Sequence, residues 1–390
     1  MTSLARRFAV MAAILCACLA CTLSATAFAD EAEPETDEAI AIEYATEPEA
    51  EDVADIGEEA FEAEQAAEAI TVAEEPDTDV EWATSTWARL YGNTALDTMA
   101  RISSHGWKTS DVVIVTNADS YWDALAASSL AGKYQAPVLF TSPSALSAQT
   151  KTEITRLGAT HAILVGGTSA LPNKIANEVK ALLKGQKRID RPWGSDAPNT
   201  AVMVADELGE AMSNTCIIAT SNGYWDALSA SPYAYATGSP VYLTNPDGAI
   251  SELVLAAIER EQFSRALIVG GTKAVSANTE ATLAAIGIGE VKRFAGDDAY
   301  HTSKLFATWE LTQGMVANRM GVATASGHWD ALAGSALCGK NKAVLVLADD
   351  GATGNASIAK ANKAQISRGY IFGGPAAVGN KALQAFANAA

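Results

Sequence analysis

The sequence predicts an α/β fold of three tandem modules, each a small three-layer unit with helices on both faces of a mostly parallel sheet. The motif W-D-A-L-[AS] occurs at 122–126, 225–229 and 329–333, so its aspartates lie 103 and 104 residues apart. In every period, short apolar runs typical of buried strands alternate with helical stretches. Connections of that length favour parallel strands joined by right-handed crossovers.

Other marks keep the same period. A Gly-Gly pair closes an apolar run in each copy, an R-x-x-G motif begins each copy, and a threonine follows nine residues after each of those arginines. These marks are Gly166-Gly167, Gly270-Gly271 and Gly373-Gly374; Arg89, Arg191 and Arg293; and Thr98, Thr200 and Thr302. They divide the chain into repeats at 87–188, 189–290 and 291–390. The period exceeds that of solenoid repeats, so we expect three domains in a pseudo-threefold cluster.

The first repeat shows the predicted elements in order. Strands are predicted at 112–116, 137–141 and 162–165, and helices at 94–104, from Trp122 onward, at 147–157 and after Pro172. Gly158 ends the third helix, and residues 188–191 are predicted as a short link. The later repeats carry strands at 216–220, 241–244, 266–269, 320–324, 343–347 and 370–372.

The N-terminus has the features of a secretory signal. Arg6 and Arg7 precede an apolar run, and Ala27-Phe28-Ala29 forms an A-x-A cleavage site. We therefore expect residues 1–29 to be removed, leaving a secreted protein that begins near Asp30 and has no transmembrane segment. A retained signal anchor is the alternative, because the apolar run is close to spanning length.

Residues 30–81 contain 22 Asp and Glu and no Lys or Arg. Self-repulsion and the small number of aromatic side chains predict a disordered acidic linker, with transient helix around 58–68 as the alternative. This segment carries nearly all of the chain's formal charge of −19, since residues 82–390 hold 25 Lys and Arg against 24 Asp and Glu. The repeats therefore lack the basic character of a nucleic-acid-binding protein.

Catalytic and metal-binding signatures are poor. The four histidines do not recur by repeat, and no metal-ligand spacing or nucleophile motif is present. Cys216 and Cys338 occupy different places in different repeats, which favours buried free thiols over a disulfide. We predict no metal, no cofactor and no enzyme activity. A hydrolase with paired carboxylates stays open as an alternative, because any two acids can meet in space.

The candidate ligand-binding residues surround the W-D-A-L motif. It follows the first strand of each repeat and begins a helix, where ligands bind in open α/β sheets. The polar loops before it end in a ring residue that could stack on a sugar. The candidates are Tyr121, Trp122 and Asp123; Tyr224, Trp225 and Asp226; and His328, Trp329 and Asp330. Alternatively, each aspartate stabilises its helix start and each tryptophan packs modules together.

The recurring arginines and glycines also allow two interpretations each. Arg89, Arg191 and Arg293 could pair with an anionic ligand, or with an aspartate of the adjacent domain. The Gly-Gly pairs could approach a phosphate closely, although V-G-G-T and F-G-G-P lack the full dinucleotide-binding spacing and a Walker lysine. A tight turn between strand and helix is the favoured interpretation of the glycines.

Together these motifs resemble the cell-wall-binding repeat type 2 family of Gram-positive surface proteins. The resemblance rests on R-x-x-G, [YH]-W-D-A-L-[AS], the A/S-P-V strand and the I-V-G-G turn, and covers residues 87–390. It implies a compact pseudo-threefold unit that holds a secreted protein non-covalently on the wall by binding an anionic, teichoic-acid-like or other wall polysaccharide. Some members carry a separate enzyme or adhesin domain.

The sequence departs from that family pattern after the R-x-x-G motif. The family often shows D-R-Y there, whereas this chain has Asn93-Thr94-Ala95, Ser195-Asp196-Ala197 and Asp297-Asp298-Ala299, without an arginine. Lys184, Lys187, Arg188, Lys340 and Lys342 are the remaining basic candidates for binding an anion. The predicted function is anchoring to the Gram-positive wall; the alternatives are a wall hydrolase with carboxylates in an interdomain groove and a surface adhesin or scaffold.

Overall fold

A computed structural model describes residues 81–82, 84 and 86–389. The predicted signal peptide at 1–29 and nearly all of the predicted acidic linker at 30–81 lie outside the described residues. Within the described part, the chain forms twelve α-helices and three β-sheets. None of these helices combines the length and the apolar character needed to cross a membrane.

Strands and helices alternate along the described chain. The strands are β1 (Glu81–Trp82), β2 (Trp87–Leu90), β3 (Val112–Asn117), β4 (Val138–Thr141), β5 (His161–Leu164), β6 (Arg188–Asp190), β7 (Thr215–Thr220), β8 (Val241–Thr244), β9 (Arg265–Val269), β10 (Glu290–Phe294), β11 (Val316–Ala323), β12 (Ala343–Leu347) and β13 (Gly369–Phe372). The helices are α1 (Ala95–Gly106), α2 (Trp122–Tyr134), α3 (Ala148–Leu157), α4 (Asn173–Leu182), α5 (Ala197–Asp206), α6 (Trp225–Thr237), α7 (Glu252–Glu261), α8 (Ala277–Ala285), α9 (Ala299–Glu310), α10 (Trp329–Lys340), α11 (Ala356–Ala361) and α12 (Asn380–Ala389).

The three sheets confirm the predicted α/β fold. Sheet 1 has the order β4-β3-β5-β6, sheet 2 has β8-β7-β9-β10, and sheet 3 has β12-β11-β13-β2-β1. Neighbouring strands are parallel in all three sheets, except that β1 runs antiparallel to β2. We call these sheets, with the helices packed on them, modules 1, 2 and 3.

Each sheet takes one strand from the beginning of the following repeat. Strand β6 directly precedes Arg191 and pairs with β5, and β10 contains Arg293 and pairs with β9. Strand β2, which contains Arg89, pairs with β13 at the other end of the chain. The N-terminal strand thus completes the sheet of the last module, and the three modules close into a ring.

The prediction of a short link at 188–191 was wrong, because residues 188–190 form strand β6. The sequence carries no signal for it. Strand β6 is a three-residue edge strand of exposed and half-buried side chains, without the apolar run that marks a buried strand. Its pairing is decided by strand β5, from which it is separated by a helix.

Helices α1, α5 and α9 follow the three R-x-x-G motifs, and each begins with a side-chain cap. The capping residues are Thr94, Asp196 and Asp298, and each accepts a hydrogen bond from the third backbone N–H of its helix. The segments that differ from the family's usual D-R-Y sequence therefore supply the N-caps of these three helices. Helix α3 ends at Gly158 in a left-handed conformation, as predicted.

The three W-D-A-L helices, α2, α6 and α10, pack against one another at the centre of the ring. They are buried almost all round, which fits their small and apolar residues. Gly132 lies against the backbone of Tyr235, and Gly339 lies against its side chain, so a side chain at either glycine would clash. Most of the buried apolar residues form one core that runs through all three modules.

Cys216 and Cys338 are free and buried, as predicted. Burial raises the pKa of both thiols, so both stay protonated and unreactive at neutral pH.

Closure of the ring by β2 gives a first prediction. Trp87 is fully buried, packs edge-on against Phe386 and lies against Gly369. We expect Trp87→Ala to lower the free energy of unfolding by about 3–5 kcal/mol, because it leaves a cavity at the joint between the first and last elements. Chemical denaturation followed by circular dichroism measures the change. Trp193→Ala is the matched control, since Trp193 is 47% exposed; equal losses in both variants would contradict a closing role for β2.

Candidate functional site

The three W-D-A-L motifs meet at the interfaces between modules. The indole Nε1 of each tryptophan donates a hydrogen bond to a backbone carbonyl in the loop of the next module. Trp122 donates to Ser221 (2.9 Å), Trp225 to Ala325 (2.7 Å) and Trp329 to Ala118 (2.7 Å). Each acceptor is the residue four positions before the next tryptophan. These bonds therefore run in one direction around the ring and support the packing interpretation of the tryptophans.

The three loops that supply these carbonyls share one local structure. The side-chain oxygens of Asn117, Thr220 and Thr324 each accept a hydrogen bond, 2.9 Å long, from the backbone N–H two residues on. Such turns fix the backbone, so the following carbonyl points at the incoming indole.

The ring residues before the tryptophans come together in one cluster. The centroids of Tyr121, Tyr224 and His328 lie 5.3, 5.6 and 5.4 Å apart. Each ring also packs on the tryptophan that follows it, at 4.7, 4.7 and 4.1 Å. The sequence predicted ring pairs at three separate loops; the structure brings all three pairs to one place.

His328 stands in this cluster where the other repeats have tyrosine. Burial lowers its pKa to about 3, although a hydrogen bond to Ala118 opposes the shift. The imidazole is therefore neutral at physiological pH and acts as a buried ring rather than as a cation.

The three aspartates lie in the first turn of their helices, each at a different interface. Their carboxylates lie against the first glycine of the Gly-Gly turn in the same module: Asp123 against Gly166, Asp226 against Gly270 and Asp330 against Gly373. All three glycines have positive φ angles, between 97° and 120°. Glycine is required there both for the backbone conformation and because a Cβ atom would clash with the carboxylate.

Burial raises the pKa of all three carboxyl groups. The pKa rises to about 6 for Asp123 and Asp226 and to about 7 for Asp330. The Thr200 hydroxyl opposes the shift at Asp123, and the charge of Arg89 and the Thr98 hydroxyl oppose it at Asp330. Asp226 has no such opposing group, and among the described residues nothing donates a hydrogen bond to its carboxylate.

The Gly-Gly pairs form tight turns in which the N–H and the carbonyl of the first glycine both have backbone or arginine partners. The N–H of the first glycine donates to the strand that arrives from the next repeat: Gly166 to Pro192, Gly270 to Phe294 and Gly373 to Leu90. The carbonyls accept hydrogen bonds from the recurring arginines. These turns therefore hold the strand exchange together, which supports the tight-turn interpretation over a phosphate cradle.

The recurring arginines bind the carbonyls of these turns. Arg89 donates to Gly373 (2.8 Å) and Val378 (2.9 Å), and Arg293 donates to Gly270 and Val275 (both 2.9 Å). The third arginine, Arg191, donates through Nη1 to Gly166, Gly167 and Leu171.

The arginines differ in the carboxylates around them. Arg293 forms an ion pair with Glu280 (2.7 Å), and the charge of Arg89 partly opposes the rise in the pKa of Asp330 that burial causes. Arg191 has no ion pair among the described residues, and its buried Nη2 has no hydrogen-bond partner. Arg191 therefore differs from the other two arginines in having no carboxylate close to it among the described residues.

The glycine and threonine of each R-x-x-G segment bind each other. The N–H groups of Gly92, Gly194 and Gly296 donate to the hydroxyls of Thr98, Thr200 and Thr302, at 3.0–3.1 Å. A Cβ atom at any of these glycines would clash with the helix that follows. The pattern that recurs in the sequence thus fixes the turn from the exchanged strand into helices α1, α5 and α9.

The three interfaces are not equally closed. Trp329 is 3% exposed, whereas Trp225 is 39% exposed. The third residue of each R-x-x-G motif also affects how far the interface is closed. Tyr91 packs over Gly374 and Trp193 packs over Gly167, but Ala295 leaves the space over Gly271 empty. Sequence analysis did not single out these three residues, although they stand at one position of the repeat. A role of any predicted site residue in binding ligand remains a prediction.

Comparison of the sequence with known proteins identifies a matching family. A family model described as Cell wall binding domain 2 (CWB2) matches residues 89–176, 191–280 and 293–383. N-acetylmuramoyl-L-alanine amidase LytC of Bacillus subtilis (strain 168) is 31% identical over 261 residues, which are 66% of this chain and 49% of that protein. The amidase enhancer of the same organism is 26% identical over 285 residues, which are 73% of this chain and 38% of that protein.

Two solved structures share the fold. Cwp8 from Clostridium difficile matches with a TM-score of 0.68 and 21% identity over 78% of this chain and 51% of that one. Cwp6 from Clostridium difficile matches with a TM-score of 0.67 and 22% identity over 77% of this chain and 48% of that one. The chain spans about half or less of the length of each of these proteins.

The raised pKa of Asp330 gives a second prediction. The folded protein holds this proton up to a pH of about 7, while the carboxyl's ordinary value is 3.8. Folding therefore binds a proton between these values, and this contribution to stability is present at low pH and is lost as pH rises through the window, at about 1.4 kcal/mol per pKa unit. We expect Asp330→Asn to flatten the fall in unfolding free energy between pH 4 and 7. Urea denaturation at several pH values checks this. Glu259→Gln, at an exposed position, should leave the slope unchanged; an unchanged slope in Asp330→Asn would refute the assignment.

The unequal closure of the interfaces gives a third prediction. Trp329→Phe removes one donor to the Ala118 carbonyl in a buried interface, where water cannot replace it, and costs about 0.5–1.5 kcal/mol. Trp225→Phe makes the same change at an exposed indole, where water can replace the donor, so the loss should be smaller. Thermal and urea unfolding of both variants compare the two. A larger loss in Trp225→Phe would contradict the order of closure.

Proposed function

The chain belongs to the Cell wall binding domain 2 family, and from this premise we propose that it anchors itself non-covalently to the Gram-positive wall by binding an anionic wall polymer. Members of this family are wall-associated surface proteins, and wall binding is the function of the matched region. We further propose that residues 1–29 direct secretion and that residues 30–81 act as an acidic spacer. The polymer would be teichoic-acid-like or another anionic wall polysaccharide.

The proposal of an anionic ligand rests mainly on Arg191, whose charge has no carboxylate partner among the described residues. Its guanidinium lacks an ion pair among the described residues, unlike that of Arg293. Burial lowers its pKa, which an anion nearby would counteract. Trp193 lies beside it, over Gly167, and is 47% exposed. An exposed aromatic face next to an unpaired cation fits a polymer that alternates sugars with negative charges.

Exposed lysines extend this positive region along module 1. Lys184 and Lys187 lie in the segment that leads into strand β6, and both are exposed. Arg188 is partly neutralised, because it pairs with Asp190. Lys340 contributes less, since its ammonium donates to Gly106 and lies over the Trp107 ring. We therefore place the anionic ligand at the interface of modules 1 and 2 and along β6.

Binding rather than catalysis is the function that these interfaces support best. The three aspartates lie at three different interfaces, each against its own glycine turn, so they do not form the carboxylate pair that a glycosidase needs. No group of three or more His, Cys, Asp or Glu among the described residues could hold a metal ion. The amidase and the amidase enhancer match this chain over part of their length only, and we do not extend their activities to it.

A wall-sedimentation assay tests the proposal. The chain from Asp30 and a form from Trp82 would be mixed with purified Gram-positive walls, before and after removal of anionic polymers, at several salt concentrations. We expect both forms to sediment with intact walls, binding to weaken with salt, and stripped walls to bind poorly. Trp193→Ala should weaken binding several-fold without changing the unfolding midpoint, while Met203→Ala, another exposed apolar position, should not.

The alternatives have different outcomes in the same experiment. Absence of binding to both wall preparations would overturn the anchoring proposal. Release of soluble wall fragments by the protein, lost on changing one aspartate but not its two counterparts, would instead indicate a hydrolase.

A further inference from the structure

The interface of modules 2 and 3 differs from its two equivalents in shape. We call the surface formed by Trp225, Asp226, Gly271, Ala295 and Tyr300 the open interface. Trp225 is 39% exposed although its indole N–H is held by Ala325, so one face of a fixed ring is available. Ala295 stands where Tyr91 and Trp193 cover the other turns, and nothing lies within 4 Å of the position that a Cβ on Gly271 would take.

The open interface also differs in its polar groups. Among the described residues, neither the Asp226 nor the Asp330 carboxylate accepts a hydrogen bond from a side chain or backbone N–H, but Asp330 is only 2% exposed whereas Asp226 is half-buried and can be reached from solvent. A buried carboxylate without a partner is costly, and a ligand donor would relieve that cost. The free acceptor therefore lies beside the exposed ring.

A second aromatic residue with an acidic neighbour stands at the edge of this surface. The Tyr300 hydroxyl donates to the carboxylate of Asp349. Burial and the Asp349 carboxylate raise the pKa of Tyr300, and the charges of Asp298 and of Tyr224 in the ring cluster add to the shift. Leu96 and Pro198 occupy the equivalent positions of the other repeats, so this hydroxyl is found at one interface only.

The charge of the open interface excludes a phosphate as its preferred ligand. The single guanidinium there, on Arg293, is paired with Glu280 and bound to carbonyls. Among the described residues, the carboxylates of Asp226, Asp298 and Asp349 form no ion pair, and the exposed Lys273 beside the glycine turn pairs with none of them. Charges of one sign attract ligands of the other sign and repel their own. The arrangement is the reverse of the one at Arg191.

We propose that the open interface binds a sugar ring that carries a protonated amino group and hydroxyls, as in an amino sugar of the wall glycan. The ring would stack on the exposed face of Trp225, the ammonium would lie at the Asp226 carboxylate, and a hydroxyl would reach the Tyr300–Asp349 pair. This inference rests on the proposed wall-binding function and assigns a different role to each of the three interfaces. The interface of modules 1 and 2 holds the anionic part of the wall, the open interface holds an amino sugar, and the sealed interface at Trp329 is structural.

The experiment titrates the chain from Asp30 with a β-1,4-linked glucosamine trimer, its N-acetylated counterpart and inorganic phosphate. Isothermal titration calorimetry and tryptophan fluorescence report binding. We expect the glucosamine trimer to bind at least tenfold more tightly than the N-acetylated trimer, and its binding to resist phosphate.

Three variants locate the site. Ala295→Tyr introduces the residue that covers Gly374 in another repeat and should lower the affinity for the glucosamine trimer at least tenfold. Asp226→Asn should remove the preference for the amine, because it keeps the shape and loses the charge. Asp111→Asn, the same change at an exposed aspartate before strand β3 and away from the W-D-A-L loops, should have no effect. Circular dichroism and unfolding midpoints establish that each variant is folded.

Two results would overturn the inference: no binding of the glucosamine trimer to the wild-type chain, or equal binding by wild type, Ala295→Tyr and Asp226→Asn. Wall sedimentation of the same samples separates this failure from failure of the anchoring proposal. Wild-type protein that sediments with walls but ignores the trimer would leave wall anchoring intact and remove the amino-sugar site. Protein that binds the trimer but does not sediment with walls would support the amino-sugar site and overturn wall anchoring.

Discussion

The exchange of one strand between neighbouring repeats constrains the whole structure. Strands β6 and β10 complete the sheets of the repeats before them, and β2 completes the sheet of the last repeat, more than 280 residues away in the chain. No repeat therefore has a complete sheet of its own. The three tryptophan–carbonyl bonds run in the same direction around the ring, so each interface contains the same indole contact.

This constraint explains which residues recur in the sequence. The recurring residues lie around the strand that one repeat contributes to the sheet of the repeat before it. They are the arginine and glycine of R-x-x-G, the threonine after them, the Gly-Gly turn and the W-D-A-L aspartate. These residues recur because a closed ring of three modules needs the same contacts at each of its three interfaces. Positions that vary among the repeats are not needed for these shared contacts. Tyr91, Trp193 and Ala295 are such a set, and they decide how much of each turn a ligand could reach.

The sequence predicted most of the fold because buried parallel strands have apolar, β-branched runs and because helices end at Gly158 and similar signals. Strand β6 escaped prediction because a short polar edge strand has no such run. The site was predicted less completely. The motif located the interfaces, but the indoles and guanidinium groups bind backbone carbonyls, and a carbonyl's direction cannot be read from residue identity. Identical motifs also differ in exposure, since distant neighbours such as Ala295 set it.

Charge distribution finally limits how the proposed anchoring can work. The segment 30–81 carries 22 acidic residues, while residues 82–390 are close to neutral. An anionic wall repels the first segment and exerts little net force on the rest, so long-range attraction cannot be what brings the two together. The proposal therefore assigns affinity to local groups: Arg191, which has no ion pair among the described residues, for negative charge, and exposed aromatic faces for sugar rings. Because each such contact is weak, a ring that presents several unlike contacts to one polymer gains affinity through their effective concentration. Unequal interfaces are then an advantage, since a polymer with charged and uncharged units is matched better by different contacts than by three equal ones.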